Sequence, residues 1–130
     1  MKGLLPKIDT MSFEDALTLI ARIFLDTLTA RKDLIRIMLS EIQMYPRKIH
    51  KIYNAFIVEL HRTLASYFTA MQKKEALRLF DVELGARVFL GMFFSYFNSK
   101  EFLMLKKYSA TDDNEVIKEF VSIFVRGTLQ

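Results

Sequence analysis

Apolar side chains recur every three to four residues through almost the whole chain, a spacing that leaves room for little except α-helix. No segment shows sustained strand alternation or an Asn-Gly or Asp-Gly hairpin signal. Four Gly and two Pro in 130 residues supply little turn chemistry for an all-β fold. The expected fold is all-α, an antiparallel bundle of about five helices. At this length a single core suffices, and 52% hydrophobic against 26% charged residues argues for a packed globule rather than disorder. Cysteine is absent, which excludes disulfides, thiolate chemistry, Cys-type zinc sites and iron–sulfur clusters.

Residues 1–11, broken by Pro6, read as a linker or the end of a preceding helix. Ser12 with Asp15 three residues on is a variant capping box, and Phe13, Leu17, Ile20, Phe24 and Leu28 then form one apolar stripe. A second helix is expected from about Lys32 to Met44, with Leu34, Ile35, Met38, Leu39 and Ile42 inward. Tyr45 ends it, because the residue before proline is biased away from αR, and Pro46 can open the next helix at its first position. From Pro46 to Lys73 no Gly or further Pro interrupts the chain, which predicts a helix of 28 residues. At 1.5 Å per residue it would span roughly 42 Å. Its stripe is Ile49, Tyr53, Phe56, Ile57, Leu60, Leu64, Tyr67 and Met71.

The fourth helix, capped by Asp81, is apolar on every side to about Phe97, and a helix of that kind must be covered on more than one face. A lone bundle of this size covers two faces of its own helix with difficulty, so burial against a second subunit is the simplest resolution. A central helix buried within one chain is the alternative. Gly85 and Gly91 cost about 1 kcal/mol each relative to Ala in a helix interior, and are expected to allow close approach by a neighbour. Residues 98–111 read as a connector. The last helix starts at Asp112, is apolar over more than half its circumference and ends near Gly127. Candidate dimer contacts are Leu84, Val88, Gly91, Met92, Phe94, Ile117, Phe120, Val121 and Phe124. Glu in place of Phe93 or Phe120 is expected to turn the dimer into a monomer or to unfold it, read by light scattering.

Little in the chain points to catalysis. The only histidines, His50 and His61, are eleven residues apart on one helix, about 16 Å along its axis, too far to share a metal. They read as boundary side chains. No H-E-x-x-H, G-x-S-x-G, P-loop or Gly-rich dinucleotide loop is present, and the carboxylates gather at helix starts, where the macrodipole accounts for them. Neither enzyme activity nor a cofactor is expected. The net charge of +4 is uneven: residues 31–78 hold ten Lys/Arg against four Asp/Glu, as a solvated basic face would. No signal peptide or bilayer-length apolar run is visible, so a cytoplasmic protein without membrane contact is expected. An interior lined by Phe24, Met38, Tyr53, Phe56, Tyr67, Phe89 and Phe93 could hold an apolar or aromatic ligand between helices, or could be plain core.

The order of elements resembles the C-terminal domain of TetR-family transcriptional regulators. The likeness is carried by Leu34 to Glu41 with Tyr45-Pro46, by Ala86-Arg87-Val88-Phe89-Leu90-Gly91-Met92, and by Phe120 to Leu129, and it covers roughly residues 12–130. The resemblance implies a ligand-binding and dimerisation domain whose last two long helices form a four-helix interface with a second copy. It also implies a small hydrophobic effector, whose binding shifts the separation of two DNA-reading heads. Such regulators read DNA through an N-terminal helix-turn-helix, which residues 1–11 are too short to form, so DNA binding is expected only through a domain missing from this chain. A dimeric interaction module without ligand, or a small carrier of lipid-like molecules, are the rival readings.

Overall fold

The computed structural model describes residues 5–41, 47, 51, 54–103 and 111–130. A single helical turn, α1 (Leu5–Ile8), precedes α2 (Phe13–Ala30) and α3 (Lys32–Glu41). A π-helical turn at Asn54–Val58 leads into α4 (Glu59–Lys73), followed by α5 (Val82–Glu101) and α6 (Asp113–Thr128). The three long-helix starts carry the caps that the sequence announces. Ser12 Oγ accepts from the Asp15 N–H at 3.1 Å, Asp81 Oδ1 from the Glu83 and Leu84 N–H groups, and Asp112 Oδ1 from the Asn114 N–H. Among the described residues no helix is long and apolar enough to cross a membrane.

Helix α2 is the axis of the bundle. Its stripe of Phe13, Leu17, Ile20, Phe24 and Leu28 is buried, and Ala16 and Ala21 beside it let α5 and α6 approach closely. Helix α4 packs along α5. Helix α3 is peripheral: Ile35 is buried and Met38 half-buried, while Leu34 and Leu39, expected inward, are exposed. The helix docks by one row of side chains, reinforced by Arg36 over the Phe102 ring and by Lys32 facing Glu101 at 3.9 Å, so an arc as wide as the predicted one has nothing to cover it. Ile42, Tyr45 and Pro46 lie outside the described residues.

Two other expectations change. Within the span expected as one regular helix from Pro46 to Lys73, Asn54–Val58 form a π turn, which takes more residues per turn than α-helix, so a stripe read at 3.6 residues per turn loses its phase across those residues. The fourth helix continues past Phe97 to Glu101, beyond the expected start of the connector. Helix α4 stops at a Schellman motif built without glycine. Ala76 N–H bonds Met71 O at 3.0 Å and Glu75 N–H bonds Gln72 O at 2.9 Å, with Glu75 itself left-handed at φ 59°. The chain then reaches the end of α6, where Leu77 and Leu129 form an antiparallel bridge. Arg78 N–H bonds Thr128 O, Gln130 N–H bonds Ala76 O, and Arg78 Nε–H bonds Gly127 O at 2.7 Å.

The start of α6 is tied to α5 by a polar cluster. Asp113 Oδ1 accepts from the Tyr96 hydroxyl at 2.5 Å and from Lys100 Nζ at 3.0 Å. Burial, and then the hydrogen bond to Asp113, push the Tyr96 hydroxyl up to about 12. Burial opposes the charge on Asp113, but the Tyr96 and Lys100 hydrogen bonds and the Lys100 charge outweigh it and hold the carboxyl below its usual range. A depressed carboxyl contributes stability above its unfolded pKa of about 4 and loses it as the pH falls through the folded value. Asp113→Asn should therefore cost about 1 kcal/mol at pH 7, discounted for partial exposure, and progressively less below pH ~4. Urea unfolding across that range reads the difference.

Candidate functional site

The sequence offers two candidate sites, a ligand interior and a dimer face, both of which draw on α5, and the structure divides their residues differently. Phe89 and Phe93 are both 0% exposed and face inward. They belong to a string of rings that crosses the core: Phe68 stacks on Phe124 (5.5 Å between centroids), Phe124 meets Phe89 edge-on (5.2 Å), Phe89 meets Phe93 (5.2 Å), and Phe93 meets Phe120 (5.3 Å). Phe24 and Tyr67 are buried in the same core, and Met38 is half-buried on α3. Tyr53 and the Phe56 side chain lie outside the described residues. Phe68 was missing from the candidates although it contacts Phe13, Tyr67, Phe80 and Phe124. Its position four residues after Leu64 was the available signal.

Tyr67 is 2% exposed, its ring stacked on Phe13 at 6.1 Å and tilted against Phe68 at 6.3 Å. Burial, with the Asp9 carboxylate adding to it, pushes the hydroxyl up to about 12, so it stays protonated at any physiological pH. Among the described residues its oxygen is the buried side-chain polar atom that has no hydrogen-bond partner.

A different face of α4 forms, with the start of α5, an open groove of about 360 Å³. Val58, Ala65 and Val82 give it apolar walls, and His61, Arg62 and Arg87 line it with Glu83. Among the described residues, none of the candidates Phe24, Met38, Tyr67, Phe89 and Phe93 lines it. His61 Nδ1–H donates to the Ile57 carbonyl at 2.9 Å, the satisfied boundary role expected of it; His50 lies outside the described residues. Among the described residues no cluster of three or more His, Asp or Glu is placed to hold a metal.

The candidate dimer contacts divide by helix face. Leu84 (60%), Val88 (56%) and Gly91 are exposed along one side of α5, with Met92 and Phe94 half-buried at its edges. On α6 the exposed apolar residue is Ile123 (57%), beside half-buried Phe120. Ile117, Val121 and Phe124 face the protomer's own core, because α6 must bury that row against α2 and Phe68, so little of them remains for a partner. Phe93 is likewise internal, which makes Glu there a test of folding rather than of association. The helical glycines also differ. A Cβ on Gly85 would collide with the Phe80 ring, so this residue serves packing within the chain rather than with a neighbour. Around Gly91 and Gly127 no atom of the described residues lies within 4 Å of the Cβ position, so none of them requires either to be glycine.

The family model for the C-terminal domain of AefR-like transcriptional repressors matches residues 15–127. The chain therefore belongs to this TetR-type family of C-terminal regulator domains. No curated protein and no solved structure matches it.

The glycine contrast gives a direct check. Gly85→Ala forces the Phe80 ring off its edge-on contact with Phe68; overpacking of about 1–3 kcal/mol outweighs the helix propensity gain of about 1 kcal/mol, so the variant should be less stable. Gly91→Ala meets no such atom and should stabilise the protomer by about 0.5–1 kcal/mol. Urea unfolding at matched protein concentration distinguishes them.

Proposed function

We propose that this chain is the effector-binding and homodimerisation domain of a TetR-like repressor, associating through the α5–α6 face and holding a small apolar or aromatic ligand between its helices. The observation that carries the reading is the exposed apolar row of Leu84, Val88 and Gly91 on α5 with Ile123 and Gly127 on α6. Isolated exposed apolar residues need no explanation, but two neighbouring helices that each present one, with bare glycine backbone alongside, form a face suited to close helix packing. A second copy of the same face completes a four-helix arrangement around a two-fold axis. The candidate effector lining is Phe24, Met38, Tyr53, Phe56, Tyr67, Phe89 and Phe93. In a regulator of this kind the ligand acts by binding one relative placement of the two protomers better than another. The role proposed is binding rather than catalysis, in a cytoplasmic regulator.

Val88→Glu and Ile123→Glu test the face without touching the core. Each introduces a charge that the protomer leaves in water but a dimer would bury unpaired, at about 3–5 kcal/mol, which weakens association about 100-fold or more. Light scattering should give the wild type twice the 15.3 kDa chain mass and each variant the mass of one chain, with helical circular dichroism retained. A monomeric wild type, or variants that remain dimeric, would overturn the assignment.

A further inference from the structure

The hydroxyl of Tyr67 is a polar group for which the fold supplies no use. Its ring is held between Phe13 and Phe68, so the oxygen has a set direction, and the residue is 2% exposed with no donor or acceptor opposite it among the described residues. Native structures leave few buried polar atoms in this state, because an unmatched hydroxyl in an apolar setting destabilises the fold. Phenylalanine would fill the same space without that cost. A hydroxyl kept at such a position is well explained by a partner that arrives from outside. The apolar burial of the hydroxyl between Phe13 and Phe68 restricts which partner: an anion placed there would be desolvated without a cation opposite it, whereas a neutral hydroxyl or carbonyl is tolerated.

We propose that the Tyr67 hydroxyl is the polar anchor of the effector site, hydrogen-bonding the tip of an uncharged aromatic ligand that carries one hydroxyl or carbonyl group. This rests on the effector-binding reading above and adds the ligand's chemistry to it. The groove beside Arg62 and Arg87, on a different face of α4, would have the opposite preference.

Naphthalene, 2-naphthol and 2-naphthoate present the same ring system with no tip, a neutral tip and an anionic tip. Calorimetric titration of each into wild type and Tyr67→Phe forms a cycle between the ligand hydroxyl and the protein hydroxyl. The wild type should bind 2-naphthol about tenfold more tightly than naphthalene, and Tyr67→Phe should bind the two about equally. Without ligand, Tyr67→Phe should melt about 2–4 °C higher than wild type, since it removes an unmatched buried group. A lower melting temperature would show that the hydroxyl has a structural partner and would overturn the proposal. So would an unchanged preference for 2-naphthol in the variant, which leaves the effector-binding reading standing. Tighter binding of 2-naphthoate than of 2-naphthol would overturn the neutral-tip assignment. Failure of all three to bind wild type would count against the effector-binding reading and remove the anchor with it.

Discussion

The contact on which the bundle depends is the stacking of Phe68 on Phe124. It joins α4 to α6, and through Phe13 on one side and Phe89 on the other it connects α2 and α5 to the same ring column. Buried aromatic pairs contribute about 0.5–1.5 kcal/mol beyond their area, and because their geometry is specific they set the spacing of the helices that carry them. The small residues follow from that column. Ala16 and Ala21 on α2, and Gly85 on α5 against Phe80, sit where helices have been drawn close by the large rings nearby.

A core organised this way is one-sided for α5. Phe89, Phe93 and Phe97 all point toward α2, α4 and α6, so the opposite side of the helix has no ring to meet. On that side stand Leu84, Val88 and Gly91, then Ser95, beside the exposed Glu83 and Arg87. The apolar surplus of this helix is thus divided, with aromatics building the protomer and aliphatics and glycine left for the face that a second copy is proposed to cover.

Most of the helical plan was legible because its signals are local. Ser12, Asp81 and Asp112 are caps within one turn of the backbone groups they satisfy, and the α2 stripe follows from spacing alone. What escaped was set by neighbours distant in sequence. Nothing in α3 itself reveals that Ile35 alone would find full cover, since that depends on where α5 ends. The π turn leaves no residue signature, and across Asn54–Val58 the 3.6-residue spacing on which the long stripe rests does not hold. The end of α4 was equally silent, because Glu75 occupies a left-handed position that a glycine would have announced. In the candidate sites the apolar character of α5 and α6 was readable, but assigning Ile117, Val121 and Phe124 to the dimer face required knowing which row Phe68 and α2 would claim. The unmatched state of the Tyr67 hydroxyl belongs to three dimensions entirely.

The pairing of residues 76–78 with the last residues of α6 has a consequence for hydrogen exchange. Terminal amides normally exchange almost as fast as free peptides, because helix ends fray. Here the Gln130 amide is bonded to Ala76, and the Arg78 amide is bonded to Thr128. Those protons become available to solvent when the connector and the helix end part together. The last turn of α6 and the residues ahead of α5 thereby open as one cooperative unit, although about fifty residues of chain separate them.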